Sequence, residues 1–399
     1  MLGVFIGRQP IFNKYLTVIG YELLFRSYDT TKADFLNGDR ATSQVILNTF
    51  IEIGLERLIG EGLAFINLTR SFILEKYPLP LLHDRVVLEV LENVTVDDEL
   101  ITAVRTLSER GYKIALDDVI NPNDVRPLLD IVDIVKLDLI EVDRLRLKEF
   151  VMILRKHNVK LLAEKIETVD DFNLCKSLGF NYFQGYFLSR PNVVTGRRMP
   201  ESRITVLRLL SRIRAPDIEF SEIEKIVRQD VSLSYKLMRL INSSYYSTSK
   251  NIKSIRQALT LLGIQQIQDW VSLIFLSRID DKPRELMTTA MIRAKMSELL
   301  AQALKEHNAE IGFTVGLFSV LDALLDIPME EAVASLPLSH DVASALLRNE
   351  GCLGAILHCV LAYERGSWEE AQCPGLLPEK IRDIYLESLD WAKEIGSIL

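Results

Sequence analysis

The strongest constraint on the fold is an alternation of short apolar strands and amphipathic helical segments between residue 1 and about residue 190. This alternation is typical of a parallel sheet wrapped by helices. We predict eight strands, at Val4–Ile6, Val18–Phe25, Ala64–Leu68, Val86–Leu91, Lys113–Val119, Ile134–Leu137, Lys160–Lys165 and Tyr182–Phe187. Amphipathic segments lie between them at Ala41–Leu58, Glu99–Glu109, Arg144–His157 and Val169–Leu178. The pattern predicts an α/β fold for the first half, a compact TIM-like (β/α)8 barrel.

Polar side chains stand at or near the carboxyl ends of the predicted strands. They are Glu22, Asn67, Glu89, Glu92, Asp117, Asp118, Lys136, Glu164, Glu167 and Gln184. In a barrel these ends meet on one face, where active sites lie. Oxygen ligands suit Mg²⁺, Mn²⁺ or Ca²⁺, and so many acids would repel one another without a cation. We therefore predict a cation site, the alternative being that each residue merely caps its strand or faces solvent.

The composition narrows the functional class. Of 399 residues, 48% are apolar and 26% charged, a globular balance that allows two or three domains. The net charge of −8 argues against general nucleic-acid binding. We expect neither a signal peptide nor a membrane span, since no apolar run reaches ~18 residues. The four cysteines lack CxxC spacing, which disfavours a zinc site and predicts a cytoplasmic location.

The second half of the chain has a different pattern. Two prolines and a glycine interrupt the periodicity between Arg190 and Pro200, as in a linker. Helical periodicity then continues at Glu201–Ile213, Ser221–Arg228, Ser232–Asn242, Ser254–Leu262, Ile264–Ser277, Pro283–His307 and Ile311–Leu325. We predict a barrel domain at 1–195, a linker at 196–202 and an all-α bundle at 203–399.

Seven short motifs follow one another along the first half of the chain. They are Arg8-Gln-Pro-Ile with Gly20-Tyr-Glu22-Leu-Leu, Phe65-Ile-Asn67-Leu, Leu88-Glu89-Val-Leu-Glu92, Leu116-Asp117-Asp118, Val135-Lys136-Leu-Asp138, Ala163-Glu164-Lys-Ile-Glu167 and Phe183-Gln184-Gly-Tyr. In these motifs and in their order, the chain up to about residue 192 resembles EAL domains, the cyclic di-GMP phosphodiesterase module. Each motif alone is weak, whereas the ordered set is specific.

The resemblance implies a role for each matching residue. It implies a site for Mg²⁺ or Mn²⁺ formed by Glu22, Asn67, Glu89 and Asp117, with Asp118 bridging to a second ion. It implies that Lys136, Glu164 and Gln184 assist or hold a water that opens cyclic di-GMP to the linear dinucleotide. Lys136 on its own could equally form a rim salt bridge. Ligand contacts are implied for Arg26, Glu92 and Glu167.

The loop after the paired aspartates departs from the family. Active members continue with Phe-Gly and a glycine- and serine-rich loop, whereas this chain reads Val119-Ile-Asn-Pro-Asn-Asp-Val125. A loop without glycine reaches positive φ at greater cost. Lys165 also replaces the small residue that the family has after Glu164. These departures favour a degenerate barrel that binds a nucleotide without hydrolysing it.

Two segments of the second half, Val231–Ser243 and Ile252–Gly263, resemble an HDOD domain, a helical relative of the HD phosphohydrolases. Ser319 and Val320 stand where the hydrolases carry their metal-binding His-Asp pair. His340-Asp341 is interpreted as a helix start. The resemblance therefore implies an output domain that binds a protein partner, and it leaves a homodimer open.

Three functional classes remain from the sequence. The favoured one is a signal transduction protein with a degenerate barrel that binds or senses a cyclic dinucleotide or metal. The alternatives are an active, metal-dependent cyclic di-GMP phosphodiesterase and a protein–protein scaffold that binds no nucleotide. The retained site residues favour the first two classes over the scaffold, and the altered loop favours the degenerate barrel over the active enzyme.

Overall fold

The computed structural model describes residues 4–27, 54–74, 83–91, 94–142, 144–185, 201–215, 217–229, 231–241, 255–279, 282–305 and 309–399. The chain divides into two compact units, and their main boundary follows Phe187. The first unit contains a closed eight-stranded barrel. The second is helical. The predicted fold class, a TIM-like barrel followed by an α-helical bundle, is confirmed.

The barrel strands follow one another around the barrel in chain order. They are β1 Val4–Asn13, β2 Val18–Ser27, β3 Leu63–Leu68, β4 Val86–Val90, β5 Lys113–Leu116, β6 Ile134–Asp138, β7 Lys160–Glu164 and β8 Tyr182–Phe183. Each overlaps one predicted strand. A cluster of buried apolar side chains, formed by Ile11, Phe65, Val87, Ala115, Ile134 and Leu162, comes from six different strands. This core holds the strand ends at fixed positions relative to one another.

The first strand differs from the parallel pattern, because β1 runs antiparallel to both β2 and β8. A tight turn joins β1 to β2: the Asn13 amide donates to the Thr17 carbonyl at 2.9 Å, and the Asn13 Oδ1 accepts from the Tyr15 amide at 2.9 Å. So short a connection can only reverse the chain, since parallel strands need a long crossover. The other neighbouring strands, from β2 to β8, pair in parallel.

Short helices follow several of the barrel strands. They are α1 Leu55–Ile59, α2 Arg70–Ile73, α3 Asp98–Glu109, α4 Arg144–Leu154 and α5 Val169–Ser177. Side chains cap two of them: Asp97 Oδ1 accepts from the Leu100 amide at 2.9 Å, and Thr168 Oγ1 accepts from the Asp171 amide at 3.1 Å. Such caps satisfy the first free amides of a helix and fix its starting residue. Most of the predicted helix at Ala41–Leu58 lies outside the described residues.

The second unit consists of helices α6 to α16. Their bounds are α6 Glu201–Ile213, α7 Phe220–Arg228, α8 Val231–Ile241, α9 Ile255–Leu276, α10 Arg284–Ala303, α11 Ala309–Phe318, α12 Leu321–Leu325, α13 Met329–Ala334, α14 His340–Arg348, α15 Gly351–Arg365 and α16 Pro378–Gly396. Gly263, at φ 81°, kinks α9 between the two helices predicted there. The predicted helix Ile311–Leu325 is two helices, α11 and α12.

One stretch of the second unit, His340–Arg365, is long and apolar enough to cross a membrane by length and composition alone. From the sequence we expect no apolar run of ~18 residues, and Arg348 and Glu350 stand within this stretch. The structure divides the stretch into α14 and α15, with left-handed backbone at Asn349 (φ 53°) and at Gly351 (φ 72°). Of its most apolar window, 39% is buried inside the protein. A stretch that is broken in this way is weak evidence for a membrane segment.

Candidate metal centre on the carboxyl face of the barrel

The candidate site is arranged around the ammonium of Lys136, which β6 places in the barrel interior with no exposed surface. Its Nζ contacts one carboxylate oxygen from each of four residues. The distances are 2.5 Å to Asp117 Oδ1, 2.8 Å to Glu89 Oε1, 2.9 Å to Glu164 Oε1 and 3.5 Å to Glu22 Oε2. Four acids from separate parts of the sequence therefore share a single internal cation.

Two amide side chains complete the inner part of the site. Asn67 Nδ2 donates to Glu22 Oε1 at 3.2 Å, and Gln184 Nε2 donates to Glu22 Oε2 at 2.6 Å. Gln184 Nε2 also lies 3.0 Å from Gln9 Oε1. Gln9 was not predicted as a site residue, although it stands in the Arg8-Gln-Pro-Ile motif. These hydrogen bonds fix the orientation of the Glu22 carboxylate.

The paired aspartates lie just beyond the end of β5. That strand ends at Leu116, three residues earlier than predicted. The Asp117 amide still donates to the Val90 carbonyl at 2.9 Å, and the Val119 amide donates to the Lys136 carbonyl at 3.0 Å. Between them Asp118 adopts left-handed backbone with φ 44°. Aspartate is among the residues that tolerate this backbone, and no residue of the altered loop 119–125 has positive φ.

Burial and the crowding of charges set the protonation of the acids. Burial raises the pKa of Glu89 and of Asp117, and the neighbouring carboxylates raise both further, against the attraction of Lys136. The same causes raise the pKa of Glu164 to about 8. Glu22 behaves differently: Lys136 and the two amides outweigh its burial and hold its pKa below the usual value. The Lys136 ammonium is kept charged, because the four carboxylates raise its pKa despite its burial.

The oxygen atoms of the site fit a divalent cation. Two triads have ligand atoms within 4.8 Å of one another. We call Glu22, Glu89 and Asp117 the inner triad, and Asp117, Asp118 and Glu164 the outer triad. Four buried oxygens have neither a hydrogen bond nor an ion-pair contact with the described residues, namely Asn67 Oδ1, Glu89 Oε2, Glu164 Oε2 and Gln184 Oε1. Buried acceptors normally have a partner, and hard cations such as Mg²⁺ and Mn²⁺ bind such oxygens.

Lys165 and Asp138 form a second ion pair beside the outer triad. The Lys165 ammonium donates a short hydrogen bond to Asp138 Oδ2 and lies 3.7 Å from Asp118 Oδ1. Asp138 is buried, and its Oδ1 accepts from the amides of Ile140 at 2.7 Å and Glu141 at 3.3 Å. This pair was not predicted from the sequence, although Asp138 stands two residues after Lys136 in the same motif.

Three predicted ligand-binding residues are not part of this cluster as described. Arg26 lies in β2 opposite Phe5, and its side chain is outside the described residues. Glu92 is likewise outside them. Glu167 is exposed, three residues beyond the end of β7. Their assignment to ligand binding stays a prediction.

The helical unit differs from the barrel in its ionisable groups. Both of the acidic triads found among the described residues belong to the barrel. His340 and Asp341 begin α14, as expected for a helix start, and both side chains are exposed. Inside the helical unit Arg214 is buried against Asp269, Ser272 and Thr314. This pairing of a buried charge with its partners is structural in character.

A closed barrel with buried acids, a lysine and amides on its carboxyl face, followed by a helical bundle, defines the class of the protein. The model of the EAL domain matches residues 36–191, and the model of the HDOD domain matches residues 199–334. The chain belongs to the EAL–HDOD family of signal transduction proteins.

Two full-length relatives support this membership. Cyclic di-GMP phosphodiesterase CdgJ of Vibrio cholerae is 35% identical, over 100% of this chain and 94% of the relative. The uncharacterized protein YuxH of Bacillus subtilis is 32% identical, over 99% of each chain. A solved structure of Klebsiella pneumoniae BlrP1, a complex with manganese and cyclic di-GMP, is 21% identical over 46% of this chain and 54% of that chain, with a TM-score of 0.38.

Proposed function

We propose that the barrel is a metal-dependent phosphodiesterase that hydrolyses cyclic di-GMP to the linear dinucleotide. The observation that carries the proposal is the convergence of Glu22, Glu89, Asp117 and Glu164 on Lys136, with all four oxygens within 3.5 Å of its Nζ. A full-length relative that is named a cyclic di-GMP phosphodiesterase supports the same activity.

The site residues have two tasks, holding cations and handling the proton, and Glu164 takes part in both. Glu22, Asn67, Glu89 and Asp117 would hold the first Mg²⁺ or Mn²⁺, and Asp118 would reach a second one together with Asp117 and Glu164. When bound, such ions supply charge stabilisation to the attacking and leaving oxygens of a phosphodiester and make bound water more acidic.

Glu164 and Lys136 are the residues suited to transferring a proton and to stabilising the negative charge that is added during hydrolysis. Burial raises the pKa of Glu164 to about 8, so that its carboxyl group can both accept and return a proton near neutral pH. Lys136 stays charged and lies 2.9 Å from Glu164, where it orients that carboxylate and stabilises added negative charge. Gln184 would hold a water or ligand through its side-chain amide.

The loop after β5 bears on the choice between an active and a degenerate barrel. The absence of glycine argues for the degenerate barrel from sequence. However, the carboxylate of Asp118 still lies in one triad with Asp117 and Glu164 despite the altered loop. We therefore favour the active barrel, which hydrolyses the nucleotide, as the first candidate. The degenerate barrel, which binds cyclic di-GMP or metal without hydrolysis, is the second candidate, and Lys165 beside Asp118 is the observation that favours it.

The helical unit is proposed as the output domain. Its described residues contain no acidic triad that would share a cation, so we assign it to binding a protein partner rather than to hydrolysis. We infer a cytoplasmic location, because cyclic di-GMP signalling requires access to a nucleotide and the one apolar stretch is divided between α14 and α15.

The experiment compares three proteins for turnover and for binding. Wild type, Glu22→Ala and the control Glu109→Ala, at an exposed position in α3, are incubated with cyclic di-GMP and Mn²⁺. We expect linear product from wild type and from Glu109→Ala, with a loss of at least about 10-fold in Glu22→Ala, since changing even a partner of a metal ligand typically costs about 10- to 100-fold. Calorimetry measures nucleotide binding in the same samples. Binding heat without product would support the degenerate barrel, and neither signal would support the scaffold.

A further inference from the structure

Lys165 carries a positive charge that lies beside the outer triad of the acid cluster. It directly follows Glu164, the last residue of β7. Its backbone is left-handed, with φ 53°, and about half of its side chain is exposed. Its ammonium lies 3.7 Å from Asp118 Oδ1, in the outer triad. A lysine side chain is charged at neutral pH.

The inner and outer triads differ in the cations that surround them. Lys136 is shared, because it contacts Glu22, Glu89 and Asp117 of the inner triad and also Asp117 and Glu164 of the outer triad. Lys165 has ion-pair contacts with Asp118 and Asp138. Asp118 belongs to the outer triad alone. Among the described residues, the outer triad thus has an ion pair with a second lysine, Lys165, that the inner triad lacks.

The position of the Lys165 ammonium is fixed by a buried acceptor. Asp138 has almost no exposed surface, and one of its oxygens accepts two backbone amides. The other oxygen accepts from Lys165. If the ammonium moved away, a buried carboxylate oxygen would lose this hydrogen bond, which is unfavourable. The lysine is therefore held beside Asp118 and does not move freely in solvent.

We propose that Lys165 is an internal counter-cation that weakens cation binding at the outer triad relative to the inner triad. The barrel then binds its two cations in two separated steps, the weaker of them at the outer triad. Lys165 acts through Asp118 and is a positioning residue, not a catalytic one. This inference rests on the proposed function, since it assumes that both triads hold cations.

The test is a titration of the full chain with Mn²⁺, followed by calorimetry and by the electron paramagnetic resonance signal of free Mn²⁺. Lys165→Asn removes the charge but keeps a residue that tolerates left-handed backbone. Lys165→Arg keeps the charge. Lys305→Asn is the matched control, because Lys305 is an exposed lysine at φ 59° in the helical unit.

We expect two binding steps in wild type, and a second step that is tighter by roughly tenfold in Lys165→Asn, as expected on removal of a unit charge about 4 Å from the site. The first step should stay unchanged, and Lys165→Arg and Lys305→Asn should match wild type. An unchanged second step in Lys165→Asn, or two equally tight steps in wild type, would overturn the inference alone. Absence of Mn²⁺ binding in all four proteins would overturn the proposed function together with it.

Discussion

At the scale of single residues, the acid cluster contains more acidic groups than basic ones. One ammonium, that of Lys136, faces four carboxylates that are almost wholly buried. Each buried charge is costly unless it is paired, so removal of the single cation leaves the acids to repel one another. Lys136 is therefore important for stability as well as for the proposed chemistry.

Lys136→Met tests this role in stability. We expect the free energy of unfolding to fall by about 3–5 kcal/mol in metal-free buffer at pH 8, the range measured when one partner of a buried ion pair is removed. Urea unfolding followed by circular dichroism measures the change. Lys113→Met is the control, because Lys113 is exposed at the start of β5, and it should stay within about 0.5 kcal/mol of wild type. Equal stability of Lys136→Met and wild type would contradict the role.

The residues of the site could be predicted from sequence more easily than their contacts. Glu22, Asn67, Glu89, Asp117 and Gln184 are predicted because each lies toward the carboxyl end of an apolar strand, and that rule depends only on the direction of the strand. The partners of Lys136 depend on the distances between four strand ends, which no local pattern contains. A lysine in a salt bridge at the rim and a lysine with its ammonium at the centre of the site therefore look the same in sequence.

At the scale of elements, α10 and α11 are held in close contact by two glycines. A methyl group at Gly316 would lie 2.2 Å from the Arg293 carbonyl oxygen, and one at Gly312 would lie 2.8 Å from the Ser297 carbonyl oxygen. The two glycines are four residues apart and so share one face of α11. In sequence a helical glycine indicates only a weakened helix. Here the missing side chain lets two backbones approach.

Gly316→Ala should destabilise the helical unit. The added methyl group has to displace backbone, so we expect a loss of about 1–3 kcal/mol in the free energy of unfolding, as for other overpacked sites. Gly396→Ala is the matched control at another helical glycine, where the nearest atom is Met291 Cε at 3.4 Å. It should be neutral within about 0.5 kcal/mol. Thermal unfolding of both variants measures the difference, and equal melting temperatures would contradict the close approach.

The strands were easier to predict than their directions and ends. Each strand has the apolar run that a buried sheet requires, and so all eight predicted strands are present. The antiparallel direction of β1 depends on the turn at Asn13–Thr17, whose short length indicates a hairpin. The end of β5 at Leu116 depends on Asp118 adopting positive φ, which glycine signals in a sequence and aspartate does not.

At the scale of the whole molecule, the acid cluster makes stability depend on pH. The pKa of Glu164 is about 8 in the folded protein against an ordinary value of 4.5. The folded state therefore holds a proton that the unfolded state has lost between these values. The resulting stabilisation is complete below pH 4.5 and is lost as the pH rises through 8. The pKa values of Glu89 and Asp117 are raised as well, which acts in the same direction.

Urea unfolding in the presence of a chelator at pH 6 and at pH 8 measures this dependence. We expect the free energy of unfolding to be lower at pH 8, with Glu164 contributing at most about 1.4 kcal/mol per pH unit. Glu164→Gln should show a smaller loss, because it cannot release the proton. Mn²⁺ should restore stability at pH 8, since it binds the ionised acids of the folded state. A pH dependence that is identical in Glu164→Gln and wild type would contradict the assignment.

The hydrogen bond from Gln184 to Glu22 has a consequence for the order in which the barrel is built. It joins the residue after β8 to the second strand, and β1 pairs with β8 through only Phe12 and Asn13. Contacts this distant in sequence carry a large entropic cost of loop closure. Glu22, Glu89 and Asp117 all precede Gln184 in the chain. The hydrogen-bonded carboxyl face is therefore complete only when the last strand is in place.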